Sequence, residues 1–275
     1  MRKSFVLFLV VVLMSLPAAT PLSARSVVSM SGDKVNVSAW IDARFARGSS
    51  LPFSFKLDGV PSSEFIGGWK RTCEDLTPTD PSSVSRRYIW SGAKAGLSVI
   101  CDVTGYPESK VVEWVVRFRN ISGKDSGQLS DVKVADMRMT FTSSGPIDLH
   151  YAEGNKISRA DYSPRTKVLS EDASIHFEPS GGRSSSEAFP FYNIESKASG
   201  QGAMMAIGWT GTWFSDFRSA GSKSLDVSAG LVNFDMYLRP GEEIRVPSVA
   251  FLFWSGKQMD GHNRFRRFLL EHRFR

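Results

Sequence analysis

The chain has 275 residues, 41 % of them apolar and 12 % aromatic, with 23 % charged. That supplies a hydrophobic core and excludes a disordered or low-complexity polypeptide. The formal charge of +6 is local: Arg2 and Lys3 carry two of the charges, and residues 261–275 carry +4 through Arg264, Arg266, Arg267, Arg273 and Arg275 against Glu271. Residues 25–260 are therefore neutral. The basic face that nucleic-acid binding needs is excluded.

In chain order, residues 1–24 read as a secretory leader. Arg2 and Lys3 form its basic start, residues 5–16 a continuous apolar run broken by Pro17, and cleavage fits after Ala24. The apolar run is too short for a mature membrane span, and no cysteine follows it to carry a lipid. The mature chain, residues 25–275, is expected to be exported, periplasmic or extracellular, with no membrane contact after leader removal.

Residues 34–40 alternate as a strand with Val35 and Val37 inward, and residues 53–57 repeat the pattern. Residues 75–85, with Pro78 and Pro81, read as loop. Residues 97–104 form a strand. Residues 111–119 give the clearest one, with Val112, Trp114, Val116 and Phe118 on one face. Val132 and Val134, then Met137, Met139 and Phe141, continue a sheet with a change of face that predicts a bulge. Ile147, Leu149 and Tyr151 form a short strand, and Ile175 with Phe177 another. Leu225, Val227 and Ala229 alternate, followed by Val232, Phe234, Met236 and Leu238. Arg239-Pro240-Gly241-Glu242 is a turn, and residues 249–254 are apolar on both faces, as in a fully covered strand.

The stretch SGGRSSSEAFPFYNIESKASGQGAMMAIGWTGTWFSDF, residues 180–217, stands out. A polar Gly/Ser turn leads into a strand with Phe189 and Phe191 on one face. After a second turn, Ala203, Met205, Ile207 and Trp209 share a face. The hairpin fits either a deep sandwich position, with the tryptophans as core, or a rim that presents them. Near the C-terminus, Phe265, Phe268, Leu269 and His272 fall at helical spacing over residues 261–275, with Asp260 as the cap. The apolar side of this helix is expected to dock on the β-domain, leaving Arg264, Arg266 and Arg267 near solvent.

Four motifs in order, FPFYNIES (189–196), AIGWTGTW (206–213), YLRPGEEIRVPSVAFLFW (237–254) and GHNRFRRFLLEH (261–272), together with VVEWVVRFRNISGKDSGQLSDVKVADM (111–137), resemble the N-terminal β-domain of glycoside hydrolase family 36, the α-galactosidases and relatives. The resemblance covers roughly residues 40–275. It implies an all-β fold: a large antiparallel β-supersandwich, galactose mutarotase-like, with one C-terminal helix, agreeing with the run of strands. It also implies that the catalytic aspartates lie in a (β/α)₈ barrel beyond the β-domain, of roughly 250 further residues. The sequence ends near where such chains enter that barrel. No catalytic residue is carried over, and the chain alone is expected to be inactive.

No metal-ligand spacing links His150, His176, His262 and His272, and no phosphate-cradling loop or G-x-S-x-G elbow occurs. No cofactor and no metal are expected. Cys73 and Cys101 allow one disulfide in an oxidising compartment, or a buried free thiol at Cys101, which shares a face with Leu97, Val99 and Val103. Asn36 and Asn120 stand in glycosylation sequons. Arg183, Ser184 and Trp213 are the residues expected to contact a sugar, through paired donors and an aromatic face, or to hold the Gly-rich loop against a barrel. The expected role is that of a β-domain of an exported α-galactosidase-like glycoside hydrolase, with α-galactosides or a catalytic (β/α)₈ barrel chain as partner. The alternative is a stand-alone secreted carbohydrate-binding module.

Overall fold

A computed structural model describes residues 25–274. The expected leader lies outside these residues, as does Arg275. The strands begin with β1 (Ser26–Ser29), β2 (Ser54–Leu57), β3 (Val60–Pro61), β4 (Lys70–Leu76), β5 (Val84–Gly92) and β6 (Leu97–Tyr106). They continue with β7 (Val111–Asn120), β8 (Leu129–Thr140), β9 (Ile147–Glu153), β10 (Pro164–Leu169), β11 (Ser174–Phe177) and β12 (Ala188–Ser196). The last are β13 (Gln201–Gly208), β14 (Phe214–Ser219), β15 (Ser224–Gly230), β16 (Asp235–Met236) and β17 (Glu243–Ser255). The helices are α1 (Val37–Arg44), α2 (Ser62–Phe65) and α3 (Gln258–His272).

Two sheets face each other. The first runs β11-β14-β15-β8-β2-β3, with β1 and β16 also on β8; the second runs β10-β9-β12-β13-β17-β7-β6-β5-β4. Pairing is antiparallel except for β1, which lies parallel to β8. The all-β sandwich with a C-terminal helix is thus present. The inward positions read from period-two alternation line the core between the sheets: Val112, Trp114, Val116 and Phe118 on β7, Ala203, Met205 and Ile207 on β13, and Leu225, Val227 and Ala229 on β15. The hairpin of β12 and β13 pairs Ile194 with Ala203. The expected bulge sits on β8, where Ala229 pairs with Ala135 but Gly230 with Lys133.

Three expectations change. Residues 37–44 form α1 rather than a strand, because the Asn36 side chain accepts a 3.0 Å hydrogen bond from the Ala39 amide and caps the helix. Trp40 from this helix stacks on Trp114 with ring centres 6.0 Å apart. Residues 232–238 do alternate in burial, but Val232 and Asn233 form a turn and only Asp235–Met236 pairs, as β16. Helix α3 begins at Gln258, with Asp260 inside its first turn and accepting from the Lys257 amide at 2.8 Å.

Helix α3 docks on the outer face of the second sheet. Phe265 and Phe268 join Tyr106, Val111, Met204, Leu252 and Trp254 in a second apolar cluster, with Leu269 and Phe191 at its edge. This explains why β17 is apolar on both sides: Phe251 and Phe253 face the sandwich core, Leu252 and Trp254 face the helix. Arg266 and Arg267 are exposed, while Arg264 pairs with Asp33 at 3.1 Å. Among the described residues no helix is long and apolar enough to cross a membrane.

Candidate binding cleft

Trp213 is fully buried, and its indole Nε1 donates a 2.9 Å hydrogen bond to the carbonyl of Ser184. The ring packs edge-on to Tyr192. It therefore offers no face to a sugar, and that expectation is corrected: Trp213 anchors the Gly-rich turn from beneath. Arg183 is exposed on the turn, and Ser184 is half-buried through its link to Trp213.

Cys73 and Cys101 are both free thiols, one exposed and one buried. Each is a register partner of Tyr88, from opposite sides, so β5 lies between them. Two strand spacings separate them by roughly 9–10 Å, beyond the reach of about 7 Å that a disulfide tolerates. The sequons are likewise taken up by structure: Asn36 caps α1, and buried Asn120 donates through Nδ2 to the carbonyls of Lys124 and Leu238 at 2.7 and 2.8 Å.

The end of the Gly-rich turn leads into something the sequence did not reveal. A cleft of about 720 Å³ opens between α3 and the β9–β10–β12 edge of the second sheet. Its apolar wall is made by Phe189, Phe191, Met204, Phe265 and Leu269. Phe189 and Phe191 lie 4.8 Å apart, and Phe191 reaches Phe265 at 5.6 Å. The aromatic alternation FPF at the start of β12 thus presents two rings to one surface, as its spacing requires. Tyr162 packs edge-on to Phe189 at 5.4 Å and extends the apolar surface.

Nitrogen donors rim these rings. His150, Asn193, Gln258, His262, Arg165 and Arg266 all line the cleft. Asn193 is spent on structure, accepting from Trp254 Nε1 at 2.9 Å and donating to the Gln258 carbonyl at 3.1 Å. Arg165 pairs with Glu153 at 2.8 Å. Burial lowers the pKa of His262, and nearby His150 lowers it further against the opposing pull of Glu195. The His262 imidazole therefore favours its neutral form, with both a donor and an acceptor nitrogen.

At one end of the cleft, β9 and β12 bring three titratable residues together. Asp148 and Glu195 are register partners across the ladder, and His150 lies two residues along the same face from Asp148. All three are buried. His150 Nε2 lies 2.8 Å from Glu195 Oε2, and its Nδ1 lies 2.8 Å from Thr166 Oγ1. Asp148 pairs with Lys197 at 2.5 Å. Linear spacing missed this group because sheet pairing, not proximity in the chain, assembles it.

A second hollow of about 580 Å³ lies on the first sheet, lined by Arg25, Ser54, Asp136, Arg138, Arg218 and Asp226 among others. Its charges are largely paired: Arg25 bridges Asp136 and Asp226 at 2.6 Å each, and Arg138 holds Asp226 at 2.6 Å. Burial alone would raise the pKa of Asp226, but Arg138 and Arg25 outweigh it and hold the carboxylate below its usual range. It has no aromatic wall comparable to that of the cleft.

No family model and no curated protein sequence matches the chain. Solved structures do. The α-galactosidase from Lactobacillus brevis superposes with a TM-score of 0.60 at 13 % identity, over 81 % of this chain and 31 % of its own. The galactosidase domain of the α-galactosidase-sucrose kinase AgaSK gives 0.56 at 16 % identity, over 76 % of this chain and 30 % of that one. The family 36 α-galactosidase AgaA from Geobacillus stearothermophilus gives 0.53 at 17 %, over 75 % and 30 %. The chain thus has the fold of a part, about 30 % of the length, of family 36 α-galactosidase chains.

Proposed function

We propose that this chain is the β-domain of an exported α-galactosidase-like glycoside hydrolase and works beside a catalytic (β/α)₈ barrel that supplies the carboxylates. One observation carries the reading: three α-galactosidase structures match 75–81 % of this chain while it spans only 30–31 % of theirs. The apolar leader-like run at residues 5–16 supports export. The test is hydrolysis of an aryl α-galactoside. The purified chain alone should give no turnover above an empty-vector control. Co-expression with an α-galactosidase barrel stripped of its own β-domain should raise soluble, active enzyme. Turnover by the chain alone, or no gain on co-expression, rejects the proposal.

A second reading, a secreted carbohydrate-binding module, is favoured by the cleft beside α3. Its paired phenylalanine rings fit the apolar side of a sugar, and His262 and Arg266 supply hydrogen-bonding groups. On this reading the sugar contact is made by the cleft and not by the buried Trp213. Titration calorimetry with galactose and galactosides, flat at high millimolar sugar, rules it out. Saturable binding lost in Phe191→Ala but kept in Arg183→Ala supports it.

A further inference from the structure

We propose that Asp148, His150 and Glu195 form a binding site for a single zinc-class divalent cation at the end of the cleft. Asp148 and Glu195 face each other directly across the β9–β12 ladder, and both side chains are buried. Like charges so placed repel, and a buried carboxylate needs a cation or a proton. Among the described residues Asp148 pairs with Lys197, whose side chain is 71 % exposed and reaches in from solvent. Glu195 Oε2 lies 2.8 Å from His150 Nε2, and Lys197 adds a weaker attraction from the solvent side. Two buried carboxyl groups therefore face each other with one solvent-exposed lysine and one imidazole as their charged or polar partners.

Geometry supplies the rest. One ligand atom from each of the three residues lies within 4.8 Å of the others. Tetrahedral donors around zinc stand about 3.3 Å apart, given bond lengths of about 2.0–2.1 Å, so closure requires only side-chain adjustment. The second hydrogen bond of His150 is already in place: Nδ1 faces the Thr166 hydroxyl at 2.8 Å. With Nδ1–H donating to Thr166, the lone pair of Nε2 points toward Glu195, the arrangement that outer partners impose on metal-binding imidazoles. One imidazole and two carboxylates suit zinc-class ions better than calcium or magnesium, which prefer oxygen alone. His150 also lines the cleft, so the cation would lie beside the open volume, where a water or a ligand hydroxyl completes its coordination.

The test uses the purified chain, dialysed against a chelator and then titrated with zinc chloride. One zinc per chain, measured by elemental analysis, with a rise in melting temperature is expected. Glu195→Gln keeps the shape and a hydrogen-bonding oxygen but loses the ligand charge, and should weaken zinc by more than about tenfold, the least that loss of an outer partner costs. His176→Ala removes the exposed histidine that sits with Asp216 and Glu178, and should leave binding unchanged. Should Glu195→Gln fail to fold, histidine-ring nitrogen NMR of the unaltered chain decides: zinc should move the Nε2 resonance of His150. The proposal is overturned if zinc moves only His176 or His272, if Glu195→Gln binds like the parent, if His176→Ala abolishes binding, or if calcium stabilises equally.

Discussion

The indole of Trp254 donates to Asn193 Oδ1 at 2.9 Å and sits between two glycines, Gly202 on β13 and Gly261 on α3. A Cβ on Gly261 would lie 2.6 Å from Trp254 Nε1, and one on Gly202 2.2 Å from the same ring. The ring is fully buried, so it cannot swing aside. Helix α3 docks closely because Gly261 lets its backbone approach this ring.

Two effects oppose each other in Gly261→Ala. Helix propensity favours alanine by about 1 kcal/mol. The clash with a ring pinned by Asn193 acts the other way, and overpacking a fixed core costs about 1–3 kcal/mol. Net destabilisation is expected, read as a lower denaturant midpoint. Phe268→Ala sets the scale for undocking, at about 3–5 kcal/mol. A more stable Gly261→Ala would mean that the helix has freedom to lift away.

For Trp213, burial and sugar contact predict different outcomes. Trp213→Phe should cost about 1–3 kcal/mol through the lost bond to Ser184 and the volume left empty. Any galactoside affinity should persist in the folded fraction. Arg183→Ala on the exposed turn should change stability by less than about 0.5 kcal/mol. Loss of binding in Trp213→Phe with an unchanged melting curve would restore the tryptophan as a sugar platform.

How much was legible follows from which residues carry a period. Val112, Trp114, Val116 and Phe118 declare an inward face because one side of β7 is packed on the core and the other is mostly polar. The same holds for β15 and the stripe of α3, whereas β12 and β13 are covered on both faces and carry apolar residues toward the helix as well. The strand β4 was illegible because its side chains are nearly all exposed, so no burial pattern marks it. At α1, two valines in alternation outweighed a single capping asparagine, although Asn36 was the informative residue. The ion cluster was hidden for another reason. Asp148 and His150 alternate with Ile147 and Leu149 and read as a solvent face, and only the register with β12 brings Glu195 to them. Cover of that polar face is a tertiary fact with no local signal.

The thiols should behave as two unlike groups. Cys73 is exposed and should react with a disulfide reagent in the native protein. Cys101 is buried, and burial pushes its thiol well above the ordinary range, with Asp102 adding to the shift. It should react only after unfolding, giving one titratable thiol in buffer and two in denaturant. Equal mobility on reducing and non-reducing gels is expected, and an oxidised, faster-running monomer would contradict the separation across β5.

Acid should loosen the docked helix in two stages. His262 on α3 has its pKa lowered by burial and by His150, with Glu195 opposing. The unfolded chain takes up this proton near 6.5, whereas the folded chain resists it. Stability is therefore full above about pH 6.5 and declines as pH falls through the depressed folded value. Asp80, which lies 2.6 Å from His272 at the other end of the helix, titrates lower still. The Ser82 hydroxyl, the Ser82 amide and His272 hold its pKa at about 2 against an ordinary 3.8. Its contribution is present above about pH 4 and is lost between about 4 and 2. Melting temperature against pH should show a first fall below 6.5 that is absent in His262→Asn. A second fall below 4 should be smaller in Asp80→Asn, though other depressed carboxylates such as Asp226 and Asp102 keep part of it. A profile flat from pH 7 to 5 in the parent chain would mean that His262 is not sheltered by the cleft.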